Sequence, residues 1–184
     1  MRWLQRGRQK KAVAQVWRKP LTESELWARA KTLAPRIQLR DVWAIVRQAL
    51  ERQLAVCLNP QAVTGKIFFW NEVGCEVLAG AFGLEVPPLS PEIDWNAYSQ
   101  VIRAKVRKLV LLEIVHPGIG RPMERTAVAI RKALRERHPL GLNPTLRALK
   151  ELATQGLITF EVVDGHKVYR PTGAGEHIAQ EIER

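Results

Sequence analysis

The sequence predicts a mainly α-helical chain with small β-hairpins, an α+β class, built as two tandem units of similar design. Three observations predict it. A basic helix ending in proline occurs twice, at Lys11-Ala-Val-Ala-Gln-Val-Trp-Arg-Lys-Pro20 and at Lys108-Leu-Val-Leu-Leu-Glu-Ile-Val-His-Pro117, 117 − 20 = 97 residues apart. A short apolar strand follows each, Leu54–Leu58 and Leu157–Phe160, offset by 157 − 54 = 103. A glycine-marked helix then closes each unit, with Gly74 matching Gly175 at an offset of 101. Internal repetition constrains a fold more than a single motif does, and drifting offsets are what loop insertions leave behind.

In the first unit, Val13, Val16 and Trp17 recur at helical spacing and predict a helix over 4–18, stopped by Pro20. Thr22-Glu-Ser-Glu25 has the spacing of a capping box. There the hydroxyl accepts from the N–H three residues on and the glutamate reaches back. The second helix then runs through Leu26, Ala30 and Leu33 to Pro35. From Gln38 to about Gln53 a third helix is expected, with Leu39, Val42, Trp43, Val46, Ala49 and Leu50 as its apolar stripe. A hairpin follows, with strands 54–58 and 66–70 around the polar turn 59–65. Asn71 or Glu72 caps the helix through Val77, Leu78 and Phe82. Residues 83–92 hold three prolines and read as a stiff connector. The expected division is 1–83, a linker at 84–94, and 95–184.

The second unit is expected to open with one helix from Trp95 to Val115, then a loop over 117–122 and an arginine-dense helix over 123–137. Asn143 reads as a cap and Pro144 as the first residue of the next helix, with Leu146, Leu149 and Ala153 inward and Arg147, Lys150 and Thr154 facing elsewhere. Gly156 ends it. Strands 157–163 and 166–170 flank Asp164-Gly165, the pair a tight type I′ turn favours.

Charge points to a class of partner. The chain of 184 residues carries 29 Lys/Arg against 18 Asp/Glu, a net charge of +11. Residues 1–20 hold seven cations and no acid, and 101–150 hold twelve against three, whereas 51–100 hold two against six. Clustered cations suit a polyanion, because neutralising phosphates releases condensed counterions. No apolar run approaches the ~20 residues of a membrane span, and no signal-peptide hydrophobic region follows the basic N-terminus, so a cytoplasmic location is expected. The two cysteines, Cys57 and Cys75, fit no zinc pattern, although a disulfide between them is geometrically conceivable. His116, His138, His166 and His177 are scattered, and neither a phosphate-binding glycine loop nor a nucleophile motif stands out. The expectation is a non-enzyme without a cofactor.

At the motif level, Leu54-Ala-Val-Cys-Leu-Asn-Pro60, Gly65-Lys66 and Trp70-Asn-Glu-Val-Gly-Cys-Glu-Val-Leu78 resemble the strand, wing and helix of archaeal winged-helix transcriptional regulators. Asn71 stands where that family usually has threonine, and Gln53 where it has glycine. Gln155-Gly-Leu-Ile158 and Pro171-Thr-Gly-Ala-Gly175 resemble the same pieces in the second half. The resemblance covers residues 10–82 and 100–182 and implies two tandem winged-helix domains. In each, a third helix enters the major groove and a hairpin lies over the adjacent backbone.

On that resemblance, Arg40, Arg47 and Gln48 in the first unit, and Thr145, Arg147 and Lys150 in the second, are the candidate base readers. Lys66, His166 and Lys167 are the candidate wing contacts. Arg2, Arg6, Arg8, Lys10 and Lys11 could follow a phosphate backbone, as could Arg125 and Arg131. Asp41, Glu51 and Glu151 oppose phosphate beside these sites. Trp17, Trp27, Trp43 and Trp70 read as core residues, while Trp3 and Trp95 could bury a dimer contact or a domain interface. The implied partner is double-stranded DNA, bound by a monomer or a homodimer. The rival readings are a protein-interaction subunit of a larger complex and a plasmid or viral replication initiator.

Overall fold

A computed structural model of the chain describes residues 3–87, 89–90, 92–117 and 125–184. The architecture is mixed α+β, with two small antiparallel sheets, in two compact units, Met1–Leu89 and Ser90–Arg184. Among the described residues no helix is long and apolar enough to cross a membrane.

The first unit contains helix α1 (Arg8–Val16), strand β1 (Leu21–Thr22), α2 (Glu23–Leu33), α3 (Leu39–Glu51), β2 (Ala55–Cys57), β3 (Ile67–Trp70) and α4 (Glu72–Phe82). The capping box forms as the sequence predicts, with Thr22 accepting from the Glu25 N–H and the Glu25 carboxylate accepting from the Thr22 N–H at 2.9 Å. Strand β1 is too short to announce itself in sequence, yet it completes a three-stranded sheet of order β1-β3-β2. All four side chains of β3 are buried, so both faces of this strand are covered, while the flanking strands take both its edges. At the centre Trp17 and Trp70 lie 4.3 Å apart, each indole N–H satisfied by a backbone carbonyl, of Phe68 at 3.0 Å and of Trp17 at 2.9 Å. Buried indoles need such partners to avoid an unsatisfied donor. Leu84, Val86 and Leu89, in the stretch read as a connector, pack against this core. Cys57 and Cys75 are free thiols.

The second unit contains α5 (Trp95–Arg103), α6 (Lys105–Val115), α7 (Ala127–Arg135), α8 (Leu142–Thr154), β4 (Ile158–Val163), β5 (His166–Pro171) and α9 (Gly173–Glu183). The single helix expected over 95–115 is two, because Ala104 adopts an extended conformation between α5 and α6. Helix α8 begins at Leu142, so Asn143 is not its cap. Gly141 takes that place, and Pro144 sits in the first turn, where its missing N–H costs nothing. Asp164 and Gly165 both have positive φ, 50° and 76°, as the hairpin turn requires. The loop expected over 117–122 and the start expected at Met123 lie largely outside the described residues.

Taken separately, the two units repeat each other hydrogen bond for hydrogen bond. Leu54 N–H donates to Ala49 O at 2.9 Å, and Leu157 N–H to Leu152 O at 3.0 Å. Asn71 N–H donates to Leu54 O, and Thr172 N–H to Leu157 O, both at 3.1 Å. The Asn71 amide donates to Gln53 O and the Thr172 hydroxyl to Gly156 O, both at 2.7 Å. The same two side chains then cap α4 and α9 by accepting from Gly74 N–H and Gly175 N–H. Thr22 pairs with Ile67 in the first unit, as Thr126 bridges Val168 in the second. Helices α3 and α8 both have 13 residues and α4 and α9 both have 11, which sets the matching residues 142 − 39 = 103 and 173 − 72 = 101 apart.

Candidate nucleic-acid interface

The phase of a third helix decides which of its residues meet solvent. In α3 the buried positions are Val42, Ile45, Val46 and Ala49, and in α8 they are the matching Thr145, Ala148, Leu149 and Leu152. Both stripes are rotated from the sequence expectation. Trp43 is therefore 50% exposed and not a core residue, and Leu146, expected inward, is 42% exposed. Thr145, expected at a surface, is fully buried, and its hydroxyl donates to Gly141 O at 3.0 Å. A threonine whose hydroxyl is satisfied by the preceding turn fits an apolar stripe. Thr145 thus has no access to a ligand.

The exposed face of α3 carries Arg40, Trp43, Ala44 and Arg47, and that of α8 carries Asn143, Leu146, Arg147 and Lys150. Asn143 lies inside α8 and does not cap it. One residue of register turns it into an exposed amide at the position that matches Arg40, where its carbonyl and NH2 can both address a base edge. Arg47 pairs with Glu51 at 3.3 Å, an exposed i,i+4 pair of the kind worth about 0.3–0.5 kcal/mol and readily exchanged for another anion. Gln48 is turned away from that role. Its side-chain carbonyl accepts from the Trp3 indole at 2.7 Å, and the Lys10 and Arg52 cations lie 4.9 and 5.2 Å from the centre of the Trp3 ring. Burial and the nearby Arg52 charge both lower the Lys10 pKa. Trp3 is thus an intra-unit anchor. With Leu4 buried beside it, the N-terminal segment from residue 3 onward is docked on the first core. Arg6, Arg8 and Lys11 are exposed, while Arg2 lies outside the described residues.

In the second unit Glu151 matches Gln48. It takes hydrogen bonds from Arg147 at 2.9 Å and from Arg107, which approaches with two nitrogens at 2.6 and 3.0 Å. The Arg147 bond, then the Arg107 bond, hold its carboxyl below the ordinary carboxylate range. Arg107 comes from α6, 44 residues away, so sequence offered no signal for this clamp. Gln100, Arg147, Lys150, Glu151, Thr154 and Gln155 line an open groove of about 430 Å³.

Lys66 sits just before β3, not at the loop tip, which Val63 occupies at 96% exposure. Burial pushes the Glu23 carboxyl up while the Lys66 charge draws it back, so Lys66 faces its own fold as well as solvent. The loop is held by the buried Asn59, whose carbonyl accepts from Ile67 N–H at 2.6 Å and whose amide donates to Gly65 O at 3.1 Å. In the second hairpin His166 and Lys167 are exposed directly after the turn, and the Lys167 ammonium stands 4.2 Å from the Phe160 ring centre. Arg125 and Arg131 are half-buried. The Arg125 carbonyl accepts from Tyr169 N–H at 2.9 Å, and Arg131 Nε is buried without a partner among the described residues. Neither presents a fully exposed guanidinium. No protein-family model and no curated protein matches this sequence.

Proposed function

We propose that the chain binds duplex DNA through two tandem winged-helix units and acts as a transcriptional regulator of the archaeal type. The observation that carries this reading is the matched pair of third helices. Both turn two cations outward, Arg40 and Arg47 on α3 and Arg147 and Lys150 on α8, with Arg47 and Lys150 at the same position of the repeat. A helix of this kind fits the width of the major groove. The hairpin that follows each helix, with Lys167 exposed near its turn, suits contact with the adjacent backbone. The net charge of +11 supplies the counterion-release term common to such proteins.

Fluorescence anisotropy of a labelled duplex across a salt series tests the proposal. With about five phosphates neutralised, log K should fall against log salt with a slope near −4.5. Flat affinity, or no binding at the lowest salt, rejects it. One observation favours a second reading, a protein-interaction subunit. Val56, Phe69, Trp70, Val73, Val86 and Leu89 contribute to a largely apolar groove in the first unit. A partner that co-purifies and abolishes DNA binding would favour that subunit role.

A further inference from the structure

We infer that each third helix reads a thymine through its 5-methyl group, with Trp43 doing so in the first unit and Leu146 in the second; the inference rests on the DNA-binding function proposed above. A single exposed apolar side chain is ordinary on a protein surface. Here two large ones stand at one position of a repeated helix, 146 − 43 = 103 residues apart, at 50% and 42% exposure. Several of their neighbours differ between the units. Arg40 matches Asn143, Asp41 matches Pro144, and Ala44 matches Arg147, so general likeness of the two helices does not explain the shared exposure. Packing does not explain it either, because each core is closed without them, by Val42, Ile45, Val46 and Ala49 and by Thr145, Ala148, Leu149 and Leu152.

Each apolar side chain is flanked along its helix by groups suited to nucleic acid. Trp43 lies between Arg40 and Arg47, and Leu146 lies between Asn143 and the pair Arg147 and Lys150. The cations suit phosphates and guanine edges, and Asn143 suits adenine. The thymine methyl is the one apolar group that the major-groove edge offers. An apolar side chain ringed by cations matches that chemistry.

The test uses the full chain and two duplexes of about 30 base pairs, one of alternating dA and dT, the other with every dT replaced by dU, which removes only the methyl. Burying one methyl is worth about a four-fold change in affinity, so two read together give a dT-over-dU ratio of about fifteen. Trp43→Ala and Leu146→Ala should each cut the ratio about four-fold, and the double variant should bring it near one while keeping salt-dependent binding. Trp43→Phe with Leu146→Met should restore most of it. A wild-type ratio near one overturns the inference, as does a double variant that weakens both duplexes alike and leaves the ratio intact. Preference for single-stranded over duplex dT would overturn it in favour of base stacking on Trp43. If neither duplex binds at low salt, the DNA-binding proposal itself falls and this inference with it.

Discussion

Gly74 and Gly175 are the points at which the repeated architecture is least forgiving. A Cβ built on Gly74 would stand 2.0 Å from the Leu54 carbonyl oxygen, and one on Gly175 would stand 2.0 Å from the Leu157 carbonyl oxygen. A carbon normally approaches a carbonyl oxygen no closer than about 3.3 Å, so about 1.3 Å must be found by moving one backbone segment away from another. The Leu54 and Leu157 carbonyls also accept from Asn71 N–H and Thr172 N–H, so any retreat strains the bond that starts the last helix. Overpacking of this kind costs about 3 kcal/mol, offset by about 1 kcal/mol of helix propensity gained over glycine, a net loss near 2 kcal/mol. In a unit of this size that lowers the midpoint of thermal unfolding by about 8–16 °C. Gly80 and Gly173 are the controls, since a Cβ on either meets nothing within 4 Å, and alanine there should be neutral or stabilising. Circular dichroism melts of Gly74→Ala, Gly80→Ala, Gly173→Ala and Gly175→Ala would make the comparison. If Gly175→Ala unfolds within about 0.5 kcal/mol of its Gly173→Ala control, the packing argument is wrong.

Arg147→Ala with Lys150→Ala should weaken duplex binding more than Arg40→Ala with Arg47→Ala, because the stretch around α8 carries the larger excess of cations; titration of both variants against one duplex decides, and the opposite ranking refutes it. Thr145→Ala should lower the unfolding midpoint of the second unit and leave duplex affinity within two-fold, about 0.4 kcal/mol, of wild type, since its hydroxyl is spent on Gly141 O. Glu151 is held below its ordinary pKa, so what it contributes to stability is present above the unfolded value near 4.3 and lost as pH falls through the folded one. Acid titration of Glu151→Gln, followed by circular dichroism, should therefore show a shallower loss below about pH 4 than wild type.

The parts of the fold written in local chemistry were legible from the residues. Thr22 with Glu25 and Asp164 with Gly165 each encode a conformation within a few residues of themselves. The glycines at 74 and 175 were legible as a repeat, although the Leu54 and Leu157 carbonyls that require them lie 74 − 54 = 20 and 175 − 157 = 18 residues earlier. What depended on distance or on helix phase was not. Ala104 breaks α5 from α6 with neither proline nor glycine to mark it. β1 is two residues long and exists because β3 offers an edge. Thr145, expected at the surface as a base reader, belongs to the buried stripe, and that phase of α8 exposes Leu146. Within the candidate interface, Arg40, Arg47, Arg147, Lys150, His166 and Lys167 are exposed as their types and spacing suggested. Gln48 was claimed by Trp3 and Glu151 by Arg107, partners 45 and 44 residues away that only folding brings near.

The claim that the third helices grip duplex DNA separates from mere cationic stickiness in one comparison. A variant with Arg40, Arg47, Arg147 and Lys150 all changed to alanine is set against one of equal net charge with Arg18, Arg29, Lys31 and Lys105 changed instead, all eight being exposed side chains. Affinity for one duplex, measured by anisotropy at about 0.1 M salt, should fall at least ten-fold further, about 1.4 kcal/mol, in the first variant than in the second. Equal losses would mean that the chain holds DNA by overall charge alone, and would contradict the account.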